Sequence, residues 1–221
     1  MVGKKSWRTG LLLYLLSAAA LGQGWPQTKL SIVVYDAAHV GPKTVERAEG
    51  LAGTILLTAA MQSRWQAAPV EELRNLGMDF TAYTAKACQA DPVSAVLRLQ
   101  ILPRAPAGLS PNALGFSLPC ARSGVQVTIY ADHVAKVSER GGPTFGRVLG
   151  YAIAHELGHV LLQSDAHATA GLMKGIWSKS DWQRAAVSIV SFSPADVRQI
   201  ATLHKRTPDE NATQLASLKP Y

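Results

Sequence analysis

What the chain lacks narrows its class first. Its 221 residues hold only two cysteines, Cys88 and Cys120. They stand too far apart to form the paired spacing of a zinc knuckle, which leaves them a structural role. No dense cluster of lysine or arginine stands out, so nucleic acid is not an expected partner. Internal repeats and low-complexity tracts are absent, so repeat architectures are not indicated. No uninterrupted apolar run reaches the roughly 20 residues that a membrane-spanning helix needs. The most apolar stretch, Leu11 to Leu21, stops well short of that length.

That stretch follows Lys4, Lys5 and Arg8 and leads into Ala18, Ala19, Ala20 and Gly22. A basic start, an apolar middle and a small-residue end form the layout of a secretory signal peptide. We therefore expect residues 1–22 to be a signal peptide, residues 23–206 one domain, and residues 207–221 a loose tail. The expected location is secreted or periplasmic, with no stable membrane span once the leader is cleaved; an uncleaved anchor is the alternative. No cysteine lies near the junction to carry a lipid. Removing the leader leaves 19 basic residues of the 22 against 15 acidic ones, so the net charge falls from +7 to +4. A mature chain of about 200 residues suits one domain with a proper core. In an oxidising compartment an even pair of cysteines points to one disulfide, Cys88 to Cys120, with two buried thiols as the alternative. Such a bridge contributes about 3–4 kcal/mol in the chain-entropy account.

The stretch that carries chemistry is His155-Glu156-Leu157-Gly158-His159. Residues four apart on a helix project from one face, so both imidazoles can reach one zinc ion. Glu156 then lies beside the water on that ion, where a general base is needed. Val148, Leu149, Ala152 and Ile153 recur at helical spacing before the motif, and Pro143 and Thr144 suit a helix start. A helix from there to Leu162 places the motif in its second half. Zinc needs a third protein ligand, and Asp165 and His167 both lie just downstream. Imidazole is the commoner zinc ligand, which puts His167 ahead and keeps Asp165 as the alternative. Asp181 is a weaker spare. Gly171-Leu172-Met173 follows as a tight turn.

Residues 155–173 resemble the signature of the metzincin clan of zinc metallopeptidases, His-Glu-x-x-His-x-x-Gly-x-x-His (or Asp) followed by a methionine-containing turn. The match is close at His155, Glu156 and His159 and extends to Met173. It departs at Leu162, which replaces the usual helix-ending glycine, and at Asp165, which occupies the third-ligand position. We read the chain as carrying a loop two residues longer that delivers His167. Many clan members have a tyrosine two residues after the methionine, and here that position is Gly175.

The resemblance implies one catalytic Zn2+ on His155, His159 and His167, with Met173 as a floor beneath it. It implies that Glu156 takes a proton from water as the water attacks a peptide carbonyl, then passes it to the leaving amine. Protein or peptide is the substrate so implied. The implied fold class is α+β and zincin-like. A twisted mixed β-sheet is packed by a long N-terminal helix and an active-site helix, with a C-terminal helix after them. Two rival classes also fit the sequence. One is a non-catalytic exported domain with a structural zinc site or a peptide-binding role. The other is a metal-free interaction protein with a coincidental motif.

Periodicity gives the remaining elements. A strand is predicted over Lys29 to Tyr35. A helix opens at Pro42 and follows Val45, Ala48, Ala52, Ile55 and Ala59 to about Trp65. A short helix is predicted over Val70 to Leu76 and a second strand over Val93 to Leu102. Pro103 to Pro119 reads as a long loop containing a short edge strand near Ala113 to Ser117. Val125, Val127 and Ile129 mark a further strand, and Ala131 to Ser138 a helical turn. Trp177 and Trp182 fall in a loop-like region, as wall or core residues. Ser193-Pro194 starts the terminal helix. His39, His133 and His204 are expected to be surface or satisfied residues. Tyr151 could line the cleft or the core.

Overall fold

Residues 28–77, 96–121, 123–139 and 142–204 are described by a computed structural model. The expected leader, Cys88 and the expected tail lie outside the described residues. In chain order the elements are β1 (Thr28–Asp36), α1 (Pro42–Leu57), β2 (Met61–Ala67), a 3-10 turn (Val70–Asn75), β3 (Val96–Leu102), β4 (Gly115–Ser117) and β5 (Val127–Tyr130). Helices α2 (Ala131–Ser138), α3 (Phe145–Leu162), α4 (Lys179–Val187) and α5 (Pro194–Leu203) follow, and these are the elements of the described residues.

The five strands form one mixed sheet in the order β2-β1-β3-β5-β4. β1, β2, β3 and β5 run parallel, and β4 alone runs antiparallel, on the edge beside β5. The alternation seen in the sequence has the expected cause. Leu30, Ile32 and Val34 of β1 and Leu97, Leu99 and Ile101 of β3 are buried on one face. Helices α1 and α3 cover that face with Ala48, Ala52, Ile55, Val148, Leu149 and Ile153. The two helices cross closely at Gly150. A methyl group there would stand 2.9 Å from the Ala48 carbonyl and 3.0 Å from the Leu51 side chain. Among the described residues, no helix is long and apolar enough to cross a membrane.

Two local expectations are corrected. The first helix ends at Leu57, not near Trp65, and the chain from Met61 is a strand. Ala60 turns the chain with a positive φ of 58°. Met61 to Ala67 then pairs residue for residue with Thr28 to Val34. Its inward residues Met61, Ser63 and Trp65 alternate with exposed Gln62, Arg64 and Gln66, a period of 2 that an edge strand shows only weakly when its inner face is mixed. The second correction concerns Trp182, which lies on α4 and not in a loop. That helix is held by the reciprocal Ser178–Asp181 capping box, and its one buried residue is Ala185, so it has almost no apolar period to read. Helices α2 and α3, the 3-10 turn, β4 and the Ser193-capped terminal helix fall where periodicity and turn chemistry placed them.

Candidate metal centre and cleft

Helix α3 is buried along nearly its whole length, which fixes the rotation of the motif it carries. Gln163 ends it in the left-handed conformation, φ 50° and ψ 41°, taking the place that glycine usually fills. The reversal brings the Ser164 carbonyl back to His159, whose Nδ1 lies 2.8 Å from it. A second turn serves His155. Gly171, at φ 75°, sends the chain through Leu172 and Met173, and the Leu172 carbonyl lies 2.8 Å from His155 Nδ1. That turn is tied down by Leu172 N–H to Ser191 O at 3.0 Å and Ala168 N–H to Met173 O at 2.8 Å.

A backbone carbonyl only accepts, so each Nδ1 must carry the proton and each Nε2 is left with a lone pair. These two Nε2 atoms face one another at 3.1 Å. Burial holds the His155 ring down to about 4 and lowers that of His159, so both stay neutral near pH 7. Two lone pairs at that distance repel unless a cation stands with them. The imidazole of His167 completes the group, stacked on His155 at 5.3 Å and edge-on to His159 at 4.8 Å between ring centres. The ligand atoms of the three histidines lie within 4.8 Å of one another, so together they could hold a metal ion.

Glu156 lines the same cleft as the three histidines and is buried. Its Oε2 accepts from Ser117 Oγ of β4 at 2.8 Å. Burial pushes this carboxyl up to about 7, and the Ser117 bond works against that rise. A carboxyl poised near neutrality can both take and return a proton. Beneath the motif, Met173 packs directly under Gly158, where an added methyl group would collide with its sulfur and with the Phe192 ring. The methionine is 1% exposed.

A cleft of about 720 Å³ runs past these groups. One wall is β4 and the loop before it. The other is an aromatic cluster of Tyr151, Trp177 and Trp182, with ring centres 4.6 to 6.4 Å apart. The Tyr151 hydroxyl donates to Ser188 O at 2.8 Å and accepts from Val190 N at 3.1 Å, so this residue is both core and wall. Lys174, next to Met173, pairs with Asp181 at 2.5 Å and ties the turn to α4.

The structure thus brings His155, Glu156, His159, His167 and Met173 together. Asp165 is exposed and lines the cleft outside the histidine cluster. Asp181 caps α4 instead of approaching it. His39 is exposed, while buried His133 and His204 are satisfied by the carbonyls of Ala113 and Leu161. Cys120 is half-buried beyond β4, and its expected partner Cys88 is outside the described residues. Sequence reasoning missed Ser117, because a serine on a three-residue strand carries no signal of its own. It also missed the carbonyls of Ser164 and Leu172, since any residue supplies one.

No protein-family model matches the chain, and no curated protein does. Solved structures are similar to it. An archaemetzincin from Methanopyrus kandleri is 11% identical with a TM-score of 0.51, over 80% of this chain and 97% of that one. A zinc-dependent peptidase from Methanocorpusculum labreanum is 14% identical with a TM-score of 0.47, over 76% of this chain and 99% of that one. Metalloproteinase-II from Bacteroides fragilis is 12% identical with a TM-score of 0.47, over 82% of this chain and 55% of that one. The likeness to the archaemetzincin shows the fold: a five-stranded mixed sheet with helices, of the zincin-like kind expected from the motif.

Proposed function

We propose that the chain is an exported, zinc-dependent endopeptidase. One observation carries the reading: two neutral imidazoles, each with its Nδ1 proton committed to a carbonyl, turn their Nε2 lone pairs toward each other and toward a third histidine. Three imidazoles fit zinc, which takes nitrogen donors and leaves a fourth position for the reaction in catalytic sites. His155, His159 and His167 would hold the ion, and Asp165 stays outside the set. When bound, zinc supplies Lewis-acid polarisation of a peptide carbonyl and acidifies water.

The chain's own groups do the rest. Glu156, buried and drawn up to about 7, receives the proton of the attacking water at its carboxylate and delivers it to the leaving amine. Ser117 orients that carboxylate from the neighbouring strand. The carbonyls of Leu172 and Ser164 fix the tautomer and plane of two ligands. Tyr151, Trp177 and Trp182 offer an apolar wall for a substrate side chain. Export rests on the basic-apolar-small leader of residues 1–22, and a Cys88–Cys120 disulfide accords with it.

The test is cleavage of a complex peptide library by the mature zinc-loaded protein beside its Glu156→Gln variant. Cuts made only by the wild type support the proposal and define the subsites. Zinc bound without hydrolysis by either protein would sink it in favour of a structural metal site.

A further inference from the structure

We infer that Gly175 is a positioning residue for the metal centre: the missing side chain is the space in which the His167 ring reaches its place. The inference rests on the reading of His167 as a ligand. A Cβ built at Gly175 would meet the His167 ring at Cγ 2.9 Å, Cδ2 3.1 Å and Cβ 3.2 Å, and these are its three nearest neighbours. Gly175 is not among the residues with positive φ, so its backbone would accept any side chain. The glycine is therefore required by contact and not by conformation.

The obstructed atoms decide the matter. Cγ and Cδ2 move only if χ1 changes, which takes the ring away from His155 and His159, and Cβ, at 3.2 Å, is fixed to the backbone and is relieved only if the loop itself moves. That loop is held at the neighbouring position, where Ala168 bridges Lys174 and donates to Met173 O at 2.8 Å. Carbon atoms in contact prefer about 3.5–4.0 Å, so an added methyl group displaces the ring by about 0.5 Å. Zinc–nitrogen distances tolerate about 0.2 Å. The displacement exceeds the tolerance. The longer ligand loop and the glycine two residues after Met173 are then one device: the extra residues bring the imidazole over a position that a side chain would otherwise occupy.

The experiment is a zinc titration of the full chain against a competing chromophoric chelator, for wild type, Gly175→Ala, His167→Ala and the double variant, with apo melting curves alongside. Gly175→Ala should weaken zinc at least about 10-fold, as supporting residues of metal sites do. In the His167→Ala background the same change should do nothing, because the ring it displaces is gone. Wild-type affinity in Gly175→Ala, or an equal loss in both backgrounds, overturns the inference and leaves the metal centre standing. A wild type that binds no zinc removes both. Should Gly175→Ala lower the apo melting temperature, the double variant should restore it, and a failure to restore it places the clash elsewhere and also overturns the inference.

Discussion

The Nε2 atoms of His155 and His159 stand 3.1 Å apart, and both rings have already given their Nδ1 protons to backbone carbonyls. Without metal this is an unfavourable arrangement held by the burial of α3. Chelation should therefore lower the melting temperature of zinc-loaded protein by several degrees, reversibly on adding zinc back. Acid should act on the same pair. Burial sets the folded value of His155 near 4 and lowers that of His159 from an ordinary 6.5. Between about 4 and 6.5 the unfolded chain binds protons that the folded chain refuses. The metal-free protein then loses stability as the pH falls through that window and keeps it above 6.5. Melting curves at pH 7.5 and 5 should separate clearly, and His155→Phe should flatten the difference.

Ser117 and Glu156 give a kinetic prediction. The serine hydroxyl stabilises the charged carboxylate against the rise that burial imposes. Ser117→Ala should raise the Glu156 value further, moving the acidic limb of the kcat/KM profile up by about one pH unit, since a hydrogen bond to a charged group is worth about 1.5 kcal/mol or more. Zinc affinity should not change. An unmoved limb would show that Glu156 is not the group titrating there.

The aromatic wall predicts selectivity. Trp182 packs tilted against Trp177 at 4.6 Å between ring centres and lines the cleft beside His155 and Glu156. Trp182→Ala should raise KM for peptides with a large apolar side chain at the preferred position by about 10-fold, in line with lost apolar contact. Peptides with a small residue there should be affected little, and kcat less than KM. A uniform loss across both substrate sets would place the tryptophan in the core and not in a subsite.

How much of this was legible depends on range. Thr144, Pro194 and the Ser193–Asp196 cap are local chemistry, and the helices they start were readable from a few residues each. His155, Glu156 and His159 share one helical turn, so their juxtaposition follows from spacing alone. Beyond one element the signal fades. Met61 to Ala67 became a strand because β1 lies beside it, a tertiary neighbour that no local pattern reports. Ser117 meets Glu156 across 39 positions of sequence. The contact of His167 with Gly175 was half visible, as a departure at both places, but only coordinates show that the two departures touch.

Asp181 gives a stability prediction with its own acid signature. Its carboxylate accepts from Lys174 Nζ, Ser178 N and Ser178 Oγ. The Lys174 bond, then the Ser178 bonds, hold it down at about 2. A depressed carboxyl contributes stability that is present above its ordinary 3.8 and lost as the pH falls from there toward 2. Asp181→Asn should weaken the helix cap and the tie to the methionine turn together, costing about 1 kcal/mol at pH 7. At pH 2 the wild-type carboxyl is about half protonated and most of the stability its charge contributes is gone, so the gap between the two proteins should narrow sharply. Denaturation of both at the two pH values measures it, and an equal gap at pH 2 would mean that packing around α4, not the charge on Asp181, makes the difference.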